Sequence, residues 1–154
     1  MSKKILITGG VGFIGLHLAK RLLNDGHRVQ LIDNMSRAVN DIEFKEILNN
    51  KNVSFHSLDL LSKNSINNID RDFDFIFHLA AIIGVKHVLG RPYDVLYDNI
   101  SMVGNIIDFA SKQKNLSRLF FASTSEVYAG SLKYFDLPIP TPEETPLGIT
   151  DLAH

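Results

Sequence analysis

Short β-rich runs alternate with stretches of helical period along this chain, and the alternation predicts most of its architecture. Lys3–Thr8 (KKILIT) reads as a first strand. Residues 12–25 then place Phe13, Leu16, Leu18, Leu22 and Leu23 at helical spacing, with Gly26 as a stop. Arg28–Asp33 is a second strand, residues 34–41 a loop, Ile42–Leu48 a short helix and Val53–Ser57 a third strand. A weak helix is expected after Ser62, with that serine as its N-cap. Phe73–His78 is a fourth strand and Arg118–Ser123 a fifth. Between them Asp94–Lys112 is the clearest helix, with Val95, Ile100, Val103, Ile106, Ile107 and Ala110 close to a 3.6 period. Strands alternating with helices imply right-handed crossovers and a parallel sheet.

The pattern breaks after Tyr128. Pro138, Pro140, Pro142 and Pro146 rule out a regular helix or central strand over Leu137–Leu147, so a surface loop is expected there. Composition narrows the function. The chain has 154 residues, 16 Lys and Arg against 17 Asp and Glu, and a net charge of −1. That balance gives no electrostatic case for nucleic acid or an anionic membrane surface. Zero cysteines exclude a disulfide scaffold, thiolate chemistry and zinc–cysteine sites, and fit a reducing, cytoplasmic setting. No apolar run approaches the roughly 20 residues of a membrane span, and no metal site is expected.

The strongest local signal is Thr8-Gly9-Gly10-Val11-Gly12-Phe13-Ile14-Gly15. It follows the first strand and opens a helical period, as a phosphate-binding strand-to-helix turn must. Early glycines such as Gly9 allow the tight turn, Gly12 lets backbone approach a pyrophosphate, and Gly15 permits close helix–strand packing. Backbone N–H groups near Phe13 and Ile14 would face the phosphates at the positive end of the helix dipole. Asp33 ends the second strand, where an acid accepts hydrogen bonds from the adenosine ribose and disfavours a 2′-phosphate. NAD is therefore expected over NADP, although Arg37 stands close enough to accommodate that phosphate.

These residues resemble the extended short-chain dehydrogenase/reductase superfamily, specifically the NAD-dependent epimerases and dehydratases that act mostly on nucleotide sugars. Three further landmarks carry the likeness in order: Asp59-Leu60, His78-Leu79-Ala80-Ala81 and Ser123-Thr124-Ser125-Glu126-Val127-Tyr128. The resemblance implies a Rossmann-type doubly wound α/β sheet of about five strands, order 3-2-1-4-5, without the C-terminal substrate lobe. It adds Asn34, Asp59, Leu60, Leu79, Ala80, Ala81 and Asn99 to the residues around NAD. His78 is given a positioning role and no proton transfer. Plain alternatives stand beside these: Asp59 as a turn residue, Asn99 as an exposed helix asparagine.

By the same resemblance Thr124 hydrogen-bonds the sugar group undergoing hydride transfer, with Ser125 and Glu126 lining that site. Thr-Ser-Glu is similar to the version in nucleotide-sugar decarboxylases; a solvated loop acid is the alternative for Glu126. The family's base is a tyrosine followed four residues later by a lysine that lowers the phenol pKa. Tyr93, Tyr97, Tyr128 and Tyr134 are followed at that spacing by Tyr97, Ser101, Leu132 and Pro138. The expectation is a cofactor-binding domain over residues 1–154 that stops short of Tyr-x-x-x-Lys and is inactive alone. The whole enzyme would oxidise a nucleotide sugar at C4, then epimerise, eliminate or decarboxylate. A non-catalytic NAD(H)-binding module and a purely structural domain are the other classes. Relatives commonly form homodimers through helices including the counterpart of Asp94–Lys112, whose apolar stripe equally fits packing on the sheet.

Overall fold

The computed structural model describes residues 1–37 and 42–148; part of the loop expected over 34–41, and the chain after Gly148, lie outside them. Five strands, β1 (Lys4–Thr8), β2 (Arg28–Asp33), β3 (Val53–Ser57), β4 (Phe75–His78) and β5 (Arg118–Phe121), form one parallel sheet in the order β3-β2-β1-β4-β5. The expected order is met. Ile5 pairs with Val29 and Phe75, and Thr8 with Ile32 and His78, so the central strands end level with one another.

Helices cover both faces, which is why β1 is buried almost throughout. Ile5, Ile7, Val29 and Leu31 pack under α1 (Phe13–Asn24) and α2 (Ile42–Leu48), through Leu16, Ala19, Leu23, Phe44 and Ile47. Leu6, Ile32 and Ile76 point the other way, onto Met102, Ile106, Phe109 and Ala110 of α4 (Pro92–Ser111). Helix α4 starts at Pro92 rather than Asp94; proline suits a first turn whose N–H has no partner. Its expected apolar series mixes two faces. Val95, Ile106 and Ala110 are buried, whereas Ile100 and Ile107 are exposed beside Tyr93, Leu96 and Tyr97.

Three further departures are local. The helix expected after Ser62 is only a 3-10 turn, Ser65–Asn68, preceded by Asn64 without a side-chain cap. The Ser62 carbonyl instead accepts from the Ser65 N–H and hydroxyl. Helix α3 (Val85–Gly90) was not expected; it buries none of its residues, so it carries no periodic signal. A second compact unit covers Ala122–His154. It contains a 3-10 turn, Ser125–Tyr128, and the unexpected helix α5 (Ala129–Tyr134). The proline-rich segment beyond it has neither helix nor strand, as expected. Ser131, fully buried, donates to the Pro146 carbonyl and accepts from the Gly148 N–H, closing that segment on α5.

Candidate cofactor-binding site

The carboxyl ends of β1, β2 and β4 define the crevice where an open parallel sheet takes its ligand. Gly9 leaves β1 at a φ of 67°, a conformation that favours glycine. A Cβ there would lie 2.8 Å from the Ala80 nitrogen, so the turns after β1 and β4 touch backbone to backbone. A Cβ on Gly15 would strike the Gly9 carbonyl and lie 2.8 Å from Gly10 Cα. Gly9 and Gly15 are thus required by the chain's own packing.

Gly12 differs. It is the N-cap of α1 and has no side chain to cap the first turn. A Cβ there would meet only the Gly9 carbonyl, at 3.2 Å. Phe13 and Ile14, 79% and 67% exposed, begin the helix. Their N–H groups have no carbonyl four residues earlier in the helix and remain for a ligand. This is the arrangement that suits a pyrophosphate.

Asp33 does more than the sequence reading assigned. One carboxylate oxygen accepts from the Val11 N–H at 3.2 Å and the other from the Met35 N–H at 2.9 Å. It therefore fastens the glycine turn to the end of β2. Each oxygen has a further lone pair for a ribose hydroxyl. Asn34 accepts from the Ser36 N–H at 3.0 Å in an Asx turn, and Arg37 donates to the Ile83 carbonyl at 3.3 Å.

At the end of β4, Thr8 Oγ1 lies 2.7 Å from His78 Nδ1 and accepts from the Ala80 N–H at 3.3 Å. Burial pushes the His78 pKa below the ordinary 6.5, so the neutral ring is favoured. Its Nε2 is sealed without a partner. Leu79 packs on the α1 side of the sheet and Ala80 on the α4 side, while Ala81 is exposed.

Asn99 is neither exposed nor idle. Its Oδ1 accepts from the Ile82 N–H at 2.9 Å, and its Nδ2 donates to the carbonyls of Ile82 and Val95 at 3.0 and 2.9 Å. One carboxamide thus holds both polar groups of a single residue in the turn after β4. Asn105, which sequence reasoning missed, is buried and donates to the Leu60 carbonyl at 2.7 Å. A polar residue on the apolar face of α4 was the available signal. Leu60 itself is buried in the core, and Asp59 shapes its own turn by accepting from the Leu61 N–H at 3.0 Å.

Thr124, Ser125 and Glu126 belong to the second unit. Thr124 caps the 3-10 turn, its Oγ1 accepting from the Glu126 N–H at 3.2 Å, and the side chains of Ser125 and Glu126 face solvent.

Comparison with known proteins matches the same stretch. The profile of a family described as NAD dependent epimerase/dehydratase matches residues 5–151. A UDP-N-acetyl-alpha-D-glucosaminuronate decarboxylase of Bacillus cytotoxicus is 40% identical over 128 residues, covering 83% of this chain and 38% of that protein. A UDP-glucose 4-epimerase of Caenorhabditis elegans is 32% identical, covering 96% of this chain and 44% of its own length. Among solved structures, a UDP-glucose 4-epimerase from Bifidobacterium longum in complex with NAD+ and UDP superposes with a TM-score of 0.78. It is 26% identical and covers 94% of this chain and 42% of that one. The chain thus spans about two fifths of the length of the relatives it matches.

Proposed function

Because the chain belongs to the NAD-dependent epimerase/dehydratase family, we propose that it is the cofactor-holding part of a nucleotide-sugar epimerase, dehydratase or decarboxylase. The observation that carries this reading is the uncapped α1 N-terminus at Gly12, opened beside Asp33 and the Gly9–Ala80 contact. The N–H groups of Phe13 and Ile14 would hold the pyrophosphate, and Asp33 the adenosine ribose. Asn34, Asp59 and Leu60 would border the adenine half, and Leu79, Ala80 and Ala81 the nicotinamide half. Small residues at 80 and 81 keep that floor clear. Asn99 would act at one remove, by holding Ile82 in place.

NAD+ would supply the hydride acceptor for oxidation at sugar C4. Thr124 would bond the sugar oxygen at that carbon, with Ser125 and Glu126 beside it. The Thr-Ser-Glu triplet favours decarboxylation among the three outcomes, and the likeness to a named decarboxylase supports it. None of the 154 residues is a lysine four positions after a tyrosine. Proton transfer at the sugar hydroxyl is therefore assigned to no residue of this chain, which would bind cofactor without turnover. The same observation favours the second reading, a non-catalytic NAD(H)-binding module. No helix among the described residues is long and apolar enough to cross a membrane, and a cytoplasmic setting is proposed with it. The exposed face of α4 would pair with that of a second copy.

Calorimetric titration with NAD+ tests the cofactor assignment; a folded chain that takes up none would reject it. A UDP-sugar assay on the same material separates the two parts of the proposal. Turnover by these 154 residues would overturn the claim of binding without catalysis.

A further inference from the structure

Helix α4 carries two asparagines that reach off it to loops at the carboxyl end of the sheet. Asn99 holds Ile82 in the turn after β4. Asn105 lies on the helix face that also buries Met102, Ile106 and Phe109, and is itself 7% exposed. Its one amide nitrogen donates to two consecutive carbonyls in the turn after β3, Leu60 at 2.7 Å and Leu61 at 3.4 Å. Among the described residues neither carbonyl has another donor. An apolar residue at 105 would serve the packing of that face; only a donor can serve the two carbonyls.

The turn that Asn105 grips is otherwise tied at its flanks. The Leu58 N–H donates to the Asp33 carbonyl at 3.1 Å, which joins the turn to the end of β2. The Asp59 carbonyl accepts from the Ser62 N–H at 3.2 Å and the Ser65 hydroxyl at 2.7 Å. Between them the exposed Asp59 carboxylate accepts from the Leu61 N–H through Oδ1, and its Oδ2 has no partner among the described residues. Asn105 therefore fixes the backbone directly beside that carboxylate. Six residues, about 9 Å of helix, separate Asn99 from Asn105. The turns they hold end β4 and β3, with β1 and β2 between. One helix is thus bonded to both flanks of the crevice.

We propose that Asn105 is the positioning residue for the adenine half of the dinucleotide, an inference that rests on reading the crevice as the cofactor site. It touches no ligand itself. By holding the Leu60 and Leu61 carbonyls it keeps Asp59 and Leu60 where the adenine is received, while Asn99 does the same for the turn on the nicotinamide side.

The two halves of the cofactor, AMP and nicotinamide mononucleotide, are titrated separately into the 15N-labelled chain, with NAD+ alongside. Asn105→Ala is expected to weaken AMP and NAD+ about tenfold and to leave the nicotinamide mononucleotide within about twofold; Asn99→Ala is expected to do the reverse for the two halves. If Asn105→Ala does not fold, the wild-type chain decides: saturable shifts of the Leu60 and Leu61 amides and of the Asn105 carboxamide with AMP, absent with nicotinamide mononucleotide, support the assignment. Equal losses for both halves in Asn105→Ala would show a structural role only and overturn it. So would wild-type AMP affinity in that variant, or AMP shifts at residues 12–14 and 33 without any at 60, 61 and 105; either leaves the cofactor site standing. A folded chain that takes up none of the three ligands rejects the site and this assignment together.

Discussion

Thr8 and His78 end neighbouring strands with the threonine hydroxyl 2.7 Å from the histidine Nδ1, both side chains shut away from water. The pair ties β1 to β4 at the floor of the crevice, and the Ala80 N–H is bonded to the same hydroxyl. Burial, which penalises the charged ring, lowers the His78 pKa from 6.5. The unfolded chain then binds a proton that the folded chain refuses. Stability is full above pH 6.5 and falls as pH drops from there towards the folded-state value. Thermal unfolding followed from pH 7.5 downward should show this loss, and His78→Phe should remove most of that slope. A slope unchanged by the substitution would place the titration elsewhere.

A second acid limb belongs to Asp74. The Lys4 N–H and the Lys3 ammonium, bonded at 2.8 and 2.9 Å, hold its carboxyl below the ordinary 3.8. This contribution persists above 3.8 and is lost only at lower pH, as the carboxylate protonates. Asp74→Asn should blunt unfolding in that lower window and leave the His78 limb, which begins at 6.5, intact.

The glycines of the first turn divide into two kinds. Gly15→Ala drives a methyl group into the backbone of Gly9 and Gly10, neither of which can swing aside. A loss of about 2 kcal/mol or more is expected in urea unfolding. Gly12→Ala meets one carbonyl at 3.2 Å and should cost well under that. Its methyl group projects where a pyrophosphate would lie, so NAD+ affinity should fall in calorimetry while stability hardly moves.

Asn99→Ala leaves the N–H and carbonyl of Ile82 without their partner. A loss of about 1–2 kcal/mol is expected. Hydrogen exchange should quicken at Ile82 and its neighbours but not at Leu6 or Ile76 in the core. Uniform quickening would show a general loss of packing instead.

On the outer face of α4, Tyr93, Leu96, Tyr97, Ile100 and Ile107 are exposed. If that face joins two copies, Ile100→Glu should shift the sedimentation coefficient to that of a monomer at unchanged helix content. A wild-type chain that is monomeric across the concentration range would dispose of the idea.

Elements that bury a periodic apolar stripe were legible in the sequence. β1, β2, β3 and α1 fall within a residue or two of their expected limits, because a short apolar run for a strand covered on both faces, and an apolar stripe of helical period for α1, are the physical requirements of their positions. Helix α3 was not legible, since it buries nothing and offers no period to read. Helix α4 was legible in length but not in orientation: its two apolar faces overlap in sequence, and only the sheet decides which one turns inward. At the site, the glycine turn could be read from spacing alone. The bonds of Asp33 to Val11 and of Asn99 to Ile82 could not, for the first pair is brought together by the pairing of β1 with β2 and the second by the return of α4 onto the turn after β4.

Those joins have a thermodynamic consequence. Gly9 rests against Ala80, Asp33 fastens Val11, and Asn99 fixes Ile82, all through the chain's own groups. The three turns beneath the crevice are therefore set before a dinucleotide arrives. Association need not freeze a mobile loop there, and most of its ordering cost falls on the ligand's own torsions.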